Sequence, residues 1–415
     1  MDRPSKKRGT LDVRETMIQN ADRDSQNSHQ NPTSRVFGKG FARTLALALV
    51  PAVLAISAFV GCTSLTKAPP KIEGQRVSVM VFNVENLFDT KHDEGTEDFT
   101  FLPLALKKDE KIKAGCAANS SAYRRQECFE TDWNDEVLDK KMKRIAHVIQ
   151  QVGDGKGPDI LILAEVENQN VVDLLNKNHL KESGYVTAKV IDSFDPRGID
   201  PGVMSRFPMW REPKIHRLPL KAETKEGEYS ANRTRGLLEV PVTLPDGTKA
   251  LIFGLHFPSQ ANPTYLRKQA VEFLNEVEKT LPPDVVAIMG GDFNITSVED
   301  KEQGYFSKTL NNVWQVSHIE GCKSCDGTHY YHPKTEWSFL DAILVRRASI
   351  ETTGWRVDPA SVKVPNESKY QVNKFGSTAR FNANSPFGVS DHWPIYLEIV
   401  KPTAAVAPAA AATAK

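Results

Sequence analysis

Residues Val285–Asn294, with the sequence VVAIMGGDFN, combine an apolar run with a glycine pair and two polar side chains. The run from Val285 to Met289 predicts a strand that is buried on both faces. The glycines that follow let the backbone turn and approach a ligand closely. Asp292 and Asn294 then project from the carboxyl end of the strand, where α/β sheets bind their ligands. Taken alone, the same residues are also typical of an ordinary turn.

Five other apolar segments carry the same kinds of polar residue, and this repetition favours a site over a set of turns. Strand interiors are depleted in Asp and Asn, and turn chemistry explains one or two such cases but not six. The segments are Val77–Phe82 followed by Asn83 and Glu85, Asp159–Leu163 followed by Glu165, Ala250–Leu255 followed by His256, Phe339–Val345 with Asp341 inside the strand, and Asp391 and His392 ahead of Trp393–Leu397. We expect these side chains to converge at one place in the fold.

The size and composition of the chain allow a large hydrophobic core without a strong charge of either sign. The chain has 415 residues, of which 40% are hydrophobic, and this permits one large domain or two. The formal net charge is +1, so no global basic field points to nucleic acid as a partner. A local basic groove is compatible with the same composition.

The first 61 residues predict a disordered region followed by an export leader. Residues 1–40 are polar and lack apolar periodicity, which indicates disorder. Lys39 and Arg43 flank the start of the apolar run Thr44–Val60, which is short for a membrane-spanning helix and suits a secretory signal. The run ends in Gly61-Cys62, which resembles the lipobox of bacterial lipoproteins, where the cysteine is lipidated and becomes the mature N-terminus. The alternative is an uncleaved anchor helix with an incidental cysteine.

Lipidation at Cys62 would tether the rest of the chain outside the inner membrane. By resemblance, Thr63 after the cysteine favours the outer membrane, because an Asp there indicates inner-membrane retention. We therefore expect an exported protein, as an outer-membrane lipoprotein or in the periplasm or at the cell surface. Residues 62–76 contain Pro69-Pro70 and predict a linker, and residues 401–415 predict a disordered Ala/Pro-rich tail.

Residues 77–400 form the predicted main domain, in which strands alternate with helical segments. Apolar residues at helical spacing predict helices at Asp135–Val152, Asn168–Leu180 and Pro263–Leu281. Residues 93–133 are polar and irregular, and we expect a long loop or insertion there. This alternation predicts an α/β fold.

The five cysteines fit an exported protein. Besides Cys62, they form two close pairs, Cys116 with Cys128 and Cys322 with Cys325, which are disulfide candidates in an oxidising compartment. The alternative for the second pair is half of a zinc site, with His329 or His332 as a further ligand. The absence of a second CxxC motif favours the disulfide.

The polar residues at the strand ends occur in the order and contexts of a known superfamily. Asn83-Val84-Glu85, Glu165, His256, Gly290–Asn294, Asp341 and Ser390-Asp391-His392 resemble the endonuclease/exonuclease/phosphatase superfamily, which has the deoxyribonuclease I-like fold. The resemblance runs from about residue 77 to residue 400, and Asn83–Asp89 looks like an exported bacterial nuclease branch. One departure is Ala164, where many members carry Gln before the metal-binding Glu.

The resemblance implies a four-layer αββα sandwich, in which two mixed β-sheets pack face to face between layers of helices. The site would lie at one edge, between the sheets. The resemblance also implies hydrolysis of a phosphate ester by water with the help of Mg²⁺ or Mn²⁺. We expect a phosphodiester substrate, with nucleic acid as the leading class, and a monomeric enzyme.

The chemistry of a phosphodiester agrees with these residue types. Hydrolysis adds negative charge to a group that is already negative, and a hard cation held by carboxylate oxygens can offset that charge. The expected ligands are Glu165 first, then Glu85, Asn83 and Asp391. The set is poor in thiolate and imidazole ligands, which disfavours a dedicated zinc site.

The remaining residues are expected to act on the water and the phosphate. Asp292 would orient or deprotonate the attacking water, and Asn294 would hold a phosphate oxygen. His392 would contact the phosphate or exchange protons, with Asp341 fixing its tautomer. His256 would take the opposite side of the phosphate, and Asp195 is a candidate to orient it. If the extended backbone continues past the glycines, Asp292 and Asn294 point to the same side.

Several residues near these motifs have simpler interpretations. His256 alone would favour a core histidine, and Glu167 is expected to be a solvated residue at a helix start. His318, His329 and His332 are expected on the surface or in loops, as is Arg197, which could also contact phosphate. Arg233 and Arg235 are expected to be a small solvated basic cluster.

Two other functions stay open from the sequence. The same set of residues serves phosphatases and phosphodiesterases that act on inositol phosphates or sphingomyelin, and loops such as 93–133 and 357–388 would choose among them. A catalytically silent surface-binding module is the alternative from a different class. The intact polar residues at every expected strand end argue against it.

Overall fold

Fourteen strands run through residues 70–403, the part of the chain that the computed structural model describes. The predictions for residues 1–69, including lipidation at Cys62, and for residues 404–415 lie outside the described residues. The strands are β1 Gly74–Leu87, β2 Ile160–Val166, β3 Thr187–Val190, β4 Asp200–Ser205, β5 Lys214–His216, β6 Leu237–Thr243, β7 Lys249–His256, β8 Val286–Asp292, β9 Trp314–Val316, β10 His329–Tyr331, β11 Glu336–Ser338, β12 Asp341–Arg346, β13 Arg356–Val357 and β14 Ile395–Pro402.

Nine α-helices connect these strands within residues 70–403. They are α1 Glu110–Ala118, α2 Ala122–Glu130, α3 Asp135–Ile149, α4 Gln169–His179, α5 Lys225–Asn232, α6 Thr264–Lys279, α7 Ser297–Gln303, α8 Ser317–Glu320 and α9 Ile350–Thr353. The three predicted helices are therefore present as α3, α4 and α6, each within a few residues of its expected ends. None of the helices in residues 70–403 has the length and apolar character that crossing a bilayer requires.

The strands form two six-stranded mixed sheets and one hairpin. The first sheet has the order β13-β14-β1-β2-β4-β3, and the second has the order β5-β6-β7-β8-β12-β9. Each sheet contains one parallel pair, β1 with β2 and β7 with β8, among antiparallel neighbours. The hairpin pairs β10 with β11.

The two sheets pack on each other, and helices cover their outer faces. Alternate residues of both sheets, such as Val79 and Ile162 of the first and Ile252 and Ile288 of the second, share one buried apolar cluster. The intervening residues face outward, where α3 and α4 cover the first sheet. On the other side, α6 covers the second sheet. The predicted α/β class, with two mixed sheets flanked by helices in an αββα sandwich, is confirmed.

Residues 93–133 differ from the irregular loop expected from the sequence. This segment contains α1 and α2, and each helix begins at a capping side chain, Asp109 for α1 and Ser121 for α2. Such caps satisfy backbone N–H groups that the first turn leaves unpaired. Cys116 in α1 and Cys128 in α2 lie at disulfide distance and link the two helices. These two helices contain few apolar residues, so the sequence shows no apolar periodicity that would predict them.

The second cysteine pair also lies at disulfide distance. Cys322 and Cys325 have Cα atoms 5.2 Å apart, and their sulfur atoms face each other. The zinc alternative required His329 or His332 beside these sulfurs. His329 instead lies against His392, with ring centroids 4.9 Å apart.

Candidate active site at the edge between the sheets

Three polar side chains lie in one row across the second sheet. His256 ends β7 and is the parallel register partner of Asp292, which ends β8. Asp341 begins β12 and is the antiparallel register partner of the same Asp292. Residues directly opposite each other on neighbouring strands share one face of the sheet. The apolar strand therefore starts at Asp341 and does not enclose it, and this corrects the expected mid-strand position.

Asn83 connects this row to the first sheet. Its Nδ2 donates to Asp292 Oδ2 at 3.1 Å and to Glu165 Oε1 at 3.3 Å, while its Oδ1 accepts from the backbone N–H of Glu85. Asn83 lies on β1 and is the register partner of Ala164 on β2, one residue before Glu165. The polar ends of β1, β2, β7 and β8 therefore meet between the two sheets, as the sequence led us to expect.

His392 approaches the row from the segment that leads into β14. Its Nδ1 donates to Asp341 Oδ2 at 2.6 Å, and its Nε2 lies 3.9 Å from Asp292 Oδ2. Ser390 fixes the backbone here, because its Oγ donates to the Asn83 carbonyl and accepts from the N–H of His392. The structure thus brings His392, Asp341 and Asp292 into one contact network.

The charges in this network shift the acid–base properties of its members. Burial lowers the pKa of His392, but Asp341, Asp292 and Asp391 more than offset this and hold the pKa well above its usual value. Burial, together with Asp341 and Glu165, raises the pKa of Asp292 to about 7 against the opposing effect of His392. The charged imidazolium of His392 therefore faces the carboxyl group of Asp292, whose pKa lies near neutral pH.

His256 differs from His392 in its charge state. Burial, followed by the positive charges of Arg235, Arg197 and His392, holds the pKa of His256 well below its usual value. Its Nε2 lies 3.6 Å from Asp292 Oδ2 and 3.9 Å from Glu165 Oε1, and its Nδ1 is buried without a hydrogen-bond partner. His256 is therefore a neutral imidazole that faces the site, and the core-histidine interpretation does not describe it.

Three of the candidate site residues adopt a left-handed backbone. The φ angles are 53° at Glu85, 64° at Glu165 and 52° at Asn294. Such values are uncommon for residues other than glycine and cost free energy that the surrounding structure must supply. At Glu85 and Glu165 this conformation turns the side chain out of the regular alternation of β1 and β2.

The backbone of Asn294 corrects the argument from strand alternation. β8 ends at Asp292, so the extended geometry does not reach Asn294. Its N–H donates to Asp292 Oδ1, and its Nδ2 donates to the Phe257 carbonyl at 3.2 Å. Asn294 therefore stays next to Asp292 through a tight turn and not through a shared strand face.

The candidate metal ligands fall into two parts. Glu165 accepts hydrogen bonds from Asn83 and from the backbone of Asn86, and no lysine or arginine of residues 70–403 forms an ion pair with its carboxylate. Glu85 and Asp391 lie on the other side and are both bound by the guanidinium of Arg380, at 2.5 and 3.3 Å. All these donors are oxygens, and a hard divalent cation fits such a set.

Two other sets of three side chains bring ligand atoms within 4.8 Å of one another in the described part of the chain. They are His329, Asp391 and His392, and Asp292, Asp341 and His392. Neither set contains Glu165 or Glu85. The guanidinium of Arg380 contacts both Glu85 and Asp391.

A pair of arginines lies beside His256: Arg197 is exposed, as expected from the sequence, whereas Arg235 is not the solvated residue expected. Arg235 is buried, with its Nε 3.1 Å from Asp195 Oδ2, and Arg197 contacts the same carboxylate at 2.9 Å. Asp195 therefore holds the two arginines and does not orient His256. The position of Arg235 follows from strand pairing. Arg235 lies just before β6, and because β6 is antiparallel to β7, the start of β6 lies beside the end of β7, where His256 is.

Aromatic residues of the β10–β11 hairpin lie next to the site. His329 lies on β10, half-buried, and forms a backbone bridge with His392, so it is not the loop residue that the sequence allowed. The hairpin contains Tyr330 and Trp337, whose rings are 5.1 Å apart, and Trp337 lies 4.5 Å from Trp393. These aromatic side chains form a continuous group, which we call the hairpin aromatic cluster: Tyr330, His332, Trp337 and Trp393.

Glu167 is also buried, contrary to the solvated position expected for it. Its Oε2 accepts from the backbone of Asp89 at 2.7 Å, and its Oε1 has no hydrogen-bond partner. Burial raises the pKa of Glu167 to about 9, with Asp89, Asp93 and Asp98 adding to the effect against the lowering by that backbone bond. Glu167 supports the turn after β1 and does not reach the centre of the site, where Glu165 lies.

Comparison with known proteins identifies the family. A model described as the endonuclease/exonuclease/phosphatase family matches residues 121–401. The chain belongs to this family, which includes metal-dependent phosphodiesterases and whose enzymes use divalent metals. Membership supports a phosphodiesterase or nuclease activity. No curated protein matches the chain.

Solved structures provide further similarities at low identity. An endonuclease/exonuclease/phosphatase family protein from Bacteroides thetaiotaomicron is 16% identical over 80% of this chain and 100% of that chain, with a TM-score of 0.48. The corresponding protein from Beutenbergia cavernae is 17% identical over 80% of this chain and 73% of that chain, with a TM-score of 0.47. D. rerio TDP2 complexed with single strand DNA product is 17% identical, covering 78% and 98% respectively, with a TM-score of 0.43.

The contact between Asp341 and His392 predicts a measurable shift in the titration of the histidine. In the metal-free protein, the pKa of His392 should lie above 6.5, and Asp341→Asn should lower it because a carboxylate stabilises the imidazolium. NMR titration of histidine-labelled protein measures the pKa of His392 in the wild type and in Asp341→Asn. The His392 signal is assigned as the one that is missing from the spectrum of His392→Gln. The stability that this pair contributes should be complete below pH 6.5 and lost as the pH rises through the raised pKa. A His392 pKa that does not move in Asp341→Asn would contradict the pairing.

Proposed function

We propose that this chain is an exported, metal-dependent phosphodiesterase whose preferred substrate is nucleic acid. The observation that carries the proposal is the position of the Asp292 carboxylate. Asn83 binds it from the first sheet, and the imidazoles of His256 and His392 lie 3.6 and 3.9 Å away. A buried carboxylate between two imidazoles, with further carboxylates beside it, suits attack by water on a negatively charged phosphate.

The divalent cation that the family implies fits the oxygen donors of this site. Glu165 would be its main ligand, with Asn83, Glu85 and Asp391 as the additional ones. When bound, Mg²⁺ or Mn²⁺ would polarise a phosphate oxygen and offset the negative charge that develops on it. The hydrogen bond from Asn83 to Glu165 provides the orientation that such a ligand needs.

The remaining side chains would divide the work on water and phosphate. Asp292 would orient the attacking water and accept its proton, since its pKa near 7 allows it to accept and release protons at neutral pH. His392, held in its charged form by Asp341, would donate a hydrogen bond to a phosphate oxygen. Asn294, two residues after Asp292, would bind a phosphate oxygen through its side-chain amide. His256 would donate a hydrogen bond to the phosphate from its neutral ring.

Two features beside the site favour a nucleic acid over a small phosphate ester. The arginine pair Arg197 and Arg235 offers positive charge for a phosphate that flanks the cleaved bond. Within the hairpin aromatic cluster, Tyr330 and Trp337 are only half-buried, and unpaired bases could stack on their accessible ring surface. An inositol phosphate would use the arginines but leave the aromatic rings without a partner.

The location of the enzyme is part of the same proposal. The leader and its Gly61-Cys62 end support export followed by lipidation, as in bacterial lipoproteins. The two cysteine pairs, Cys116 with Cys128 and Cys322 with Cys325, would then close as disulfides in an oxidising compartment. A lipid anchor would hold a monomeric catalytic domain outside the inner membrane.

Removal of the metal or of its main ligand should abolish cleavage. We expect the purified enzyme to cleave single-stranded DNA, RNA or plasmid DNA with Mg²⁺ or Mn²⁺ and to be inactive in EDTA. Glu165→Gln keeps the shape but removes the charge, and turnover should fall more than about 100-fold, the upper value for groups that merely support a ligand. The exposed Glu182→Gln is the matched control and should leave turnover unchanged.

The substrate panel decides between the proposal and the two other functions. Bis-nitrophenyl phosphate, inositol phosphates and sphingomyelin are measured beside the nucleic acids at the same enzyme concentration. Full activity in EDTA would contradict the metal mechanism. Cleavage of a headgroup or inositol phosphate in preference to every nucleic acid would contradict the substrate class, and no cleavage of any compound would favour a binding module.

Lipidation is tested separately from catalysis. Cys62→Ala should leave the protein in a soluble or precursor form, while the wild-type chain fractionates with membranes and shows the mass of the lipid by mass spectrometry. Unchanged fractionation together with unchanged mass would contradict the lipid anchor. The catalytic assays above use the protein in detergent and do not depend on this outcome.

A further inference from the structure

Arg380 is the one positively charged side chain in residues 70–403 for which hydrogen bonds or ion pairs to both Glu85 and Asp391 are found. Its Nε donates to Glu85 Oε1 at 2.5 Å, and its Nη2 lies 3.3 Å from Asp391 Oδ2. Lys141 is the other cation close to Glu85, but its Nζ donates to the backbone carbonyls of Glu85 and Val389. Arg380 therefore balances the two carboxylates directly.

The backbone of Arg380 is held in place by several contacts. The neighbouring Ala379 bridges Ser390, and its carbonyl accepts from the N–H groups of Val389 and Ser390. Gly388 has a φ of 97°, and a Cβ there would lie 2.0 Å from the Arg380 carbonyl, so the two segments are in close contact. The N–H of Phe381 donates to Glu85 Oε2 at 3.1 Å. The attachment point of the side chain is thus fixed relative to Glu85.

The side chain itself is accessible to solvent. It is 68% exposed, whereas the side chains of Glu85 and Asp391 are 10% and 25% exposed. The arginine therefore lies over the two carboxylates from the solvent side. A long, exposed side chain on a fixed backbone can leave its partners without any change in the fold.

The two carboxylates need a cation near them. Both side chains are largely shielded from solvent, and both contact the one guanidinium of Arg380. Like charges brought together in a desolvated cleft are unfavourable unless an opposite charge contacts them. Arg380 supplies one positive charge at the oxygens where a divalent cation would supply two.

We propose that Arg380 is a built-in competitor of the metal: it neutralises Glu85 and Asp391 in the metal-free protein and is displaced when a divalent cation binds to their oxygens. The inference rests on the proposed function, because that function requires the cation. The ion pair must be broken for the metal to bind, so its free energy is subtracted from the affinity. Arg380 thereby sets the metal concentration at which the site fills.

The test measures metal binding and not turnover. Arg380→Gln removes the charge, and isothermal titration with Mn²⁺ should show binding about tenfold tighter than in the wild-type protein, as expected for the loss of a competing close charge pair. Arg380→Lys keeps the charge with less reach and should give an intermediate affinity. Arg124→Gln removes the charge of an exposed arginine that pairs with Glu127 in α2, and it should leave the affinity unchanged.

Thermal unfolding distinguishes displacement from a general effect on folding. Without metal, Arg380→Gln should unfold at a lower temperature than the wild type, because the carboxylates lose their cation. With saturating Mn²⁺, the two proteins should unfold at the same temperature or with the variant higher. A variant that is less stable by the same amount with and without Mn²⁺ would overturn the proposal.

The outcomes also separate this inference from the proposed function. Mn²⁺ affinity that is unchanged or weaker in Arg380→Gln, beside a wild-type protein that binds Mn²⁺, overturns the competitor role alone. Absence of Mn²⁺ binding in both proteins overturns the competitor role and the metal-dependent function together. Tighter binding in the variant, with no phosphodiester cleaved by either protein, supports the competitor role and contradicts the function.

Discussion

The candidate site depends on balancing carboxylates that the fold buries close together. Asp292 and Asp341 are side by side on neighbouring strands, both almost without exposure to solvent. A buried charge is tolerated when it is paired and hydrogen-bonded, and its pKa shifts when it is not. His392 provides the pairing for Asp341 and lies opposite Asp292, so the imidazolium is as much a structural requirement as a chemical group.

The same constraint explains the positive charges around the rest of the site. Arg380 contacts Glu85 and Asp391, and Lys141 is fully buried beneath them. On the other side, Arg235 and Arg197 share Asp195, and burial together with their positive charges lowers the pKa of His256. Charge is therefore balanced locally, in keeping with the net charge of +1 for the whole chain. A bound cation and a phosphate would enter a site whose own charges already compensate one another.

The strand ends were predictable because their signal is periodic and local. A buried strand followed by Asp, Glu, Asn or His marks one edge of a sheet, and the register of β7, β8 and β12 then aligns His256, Asp292 and Asp341. Arg380 and His329 reach the site from loops and a short hairpin, where side-chain direction follows from tertiary contacts and not from spacing. The left-handed backbones of Glu85 and Glu165 were equally hidden, since glutamate seldom adopts that conformation, whereas Asn294 is of a residue type that adopts it more often.

The position of a bound cation tests the account most directly. Crystals of the protein soaked in Mn²⁺ give an anomalous difference peak that locates the metal without reference to activity. We expect a peak in contact with the Glu165 carboxylate, within reach of Asn83 and the Glu85 side chain. A single peak held by His329, Asp391 and His392, away from Glu165, would contradict it, because those three side chains also bring their ligand atoms within 4.8 Å of one another.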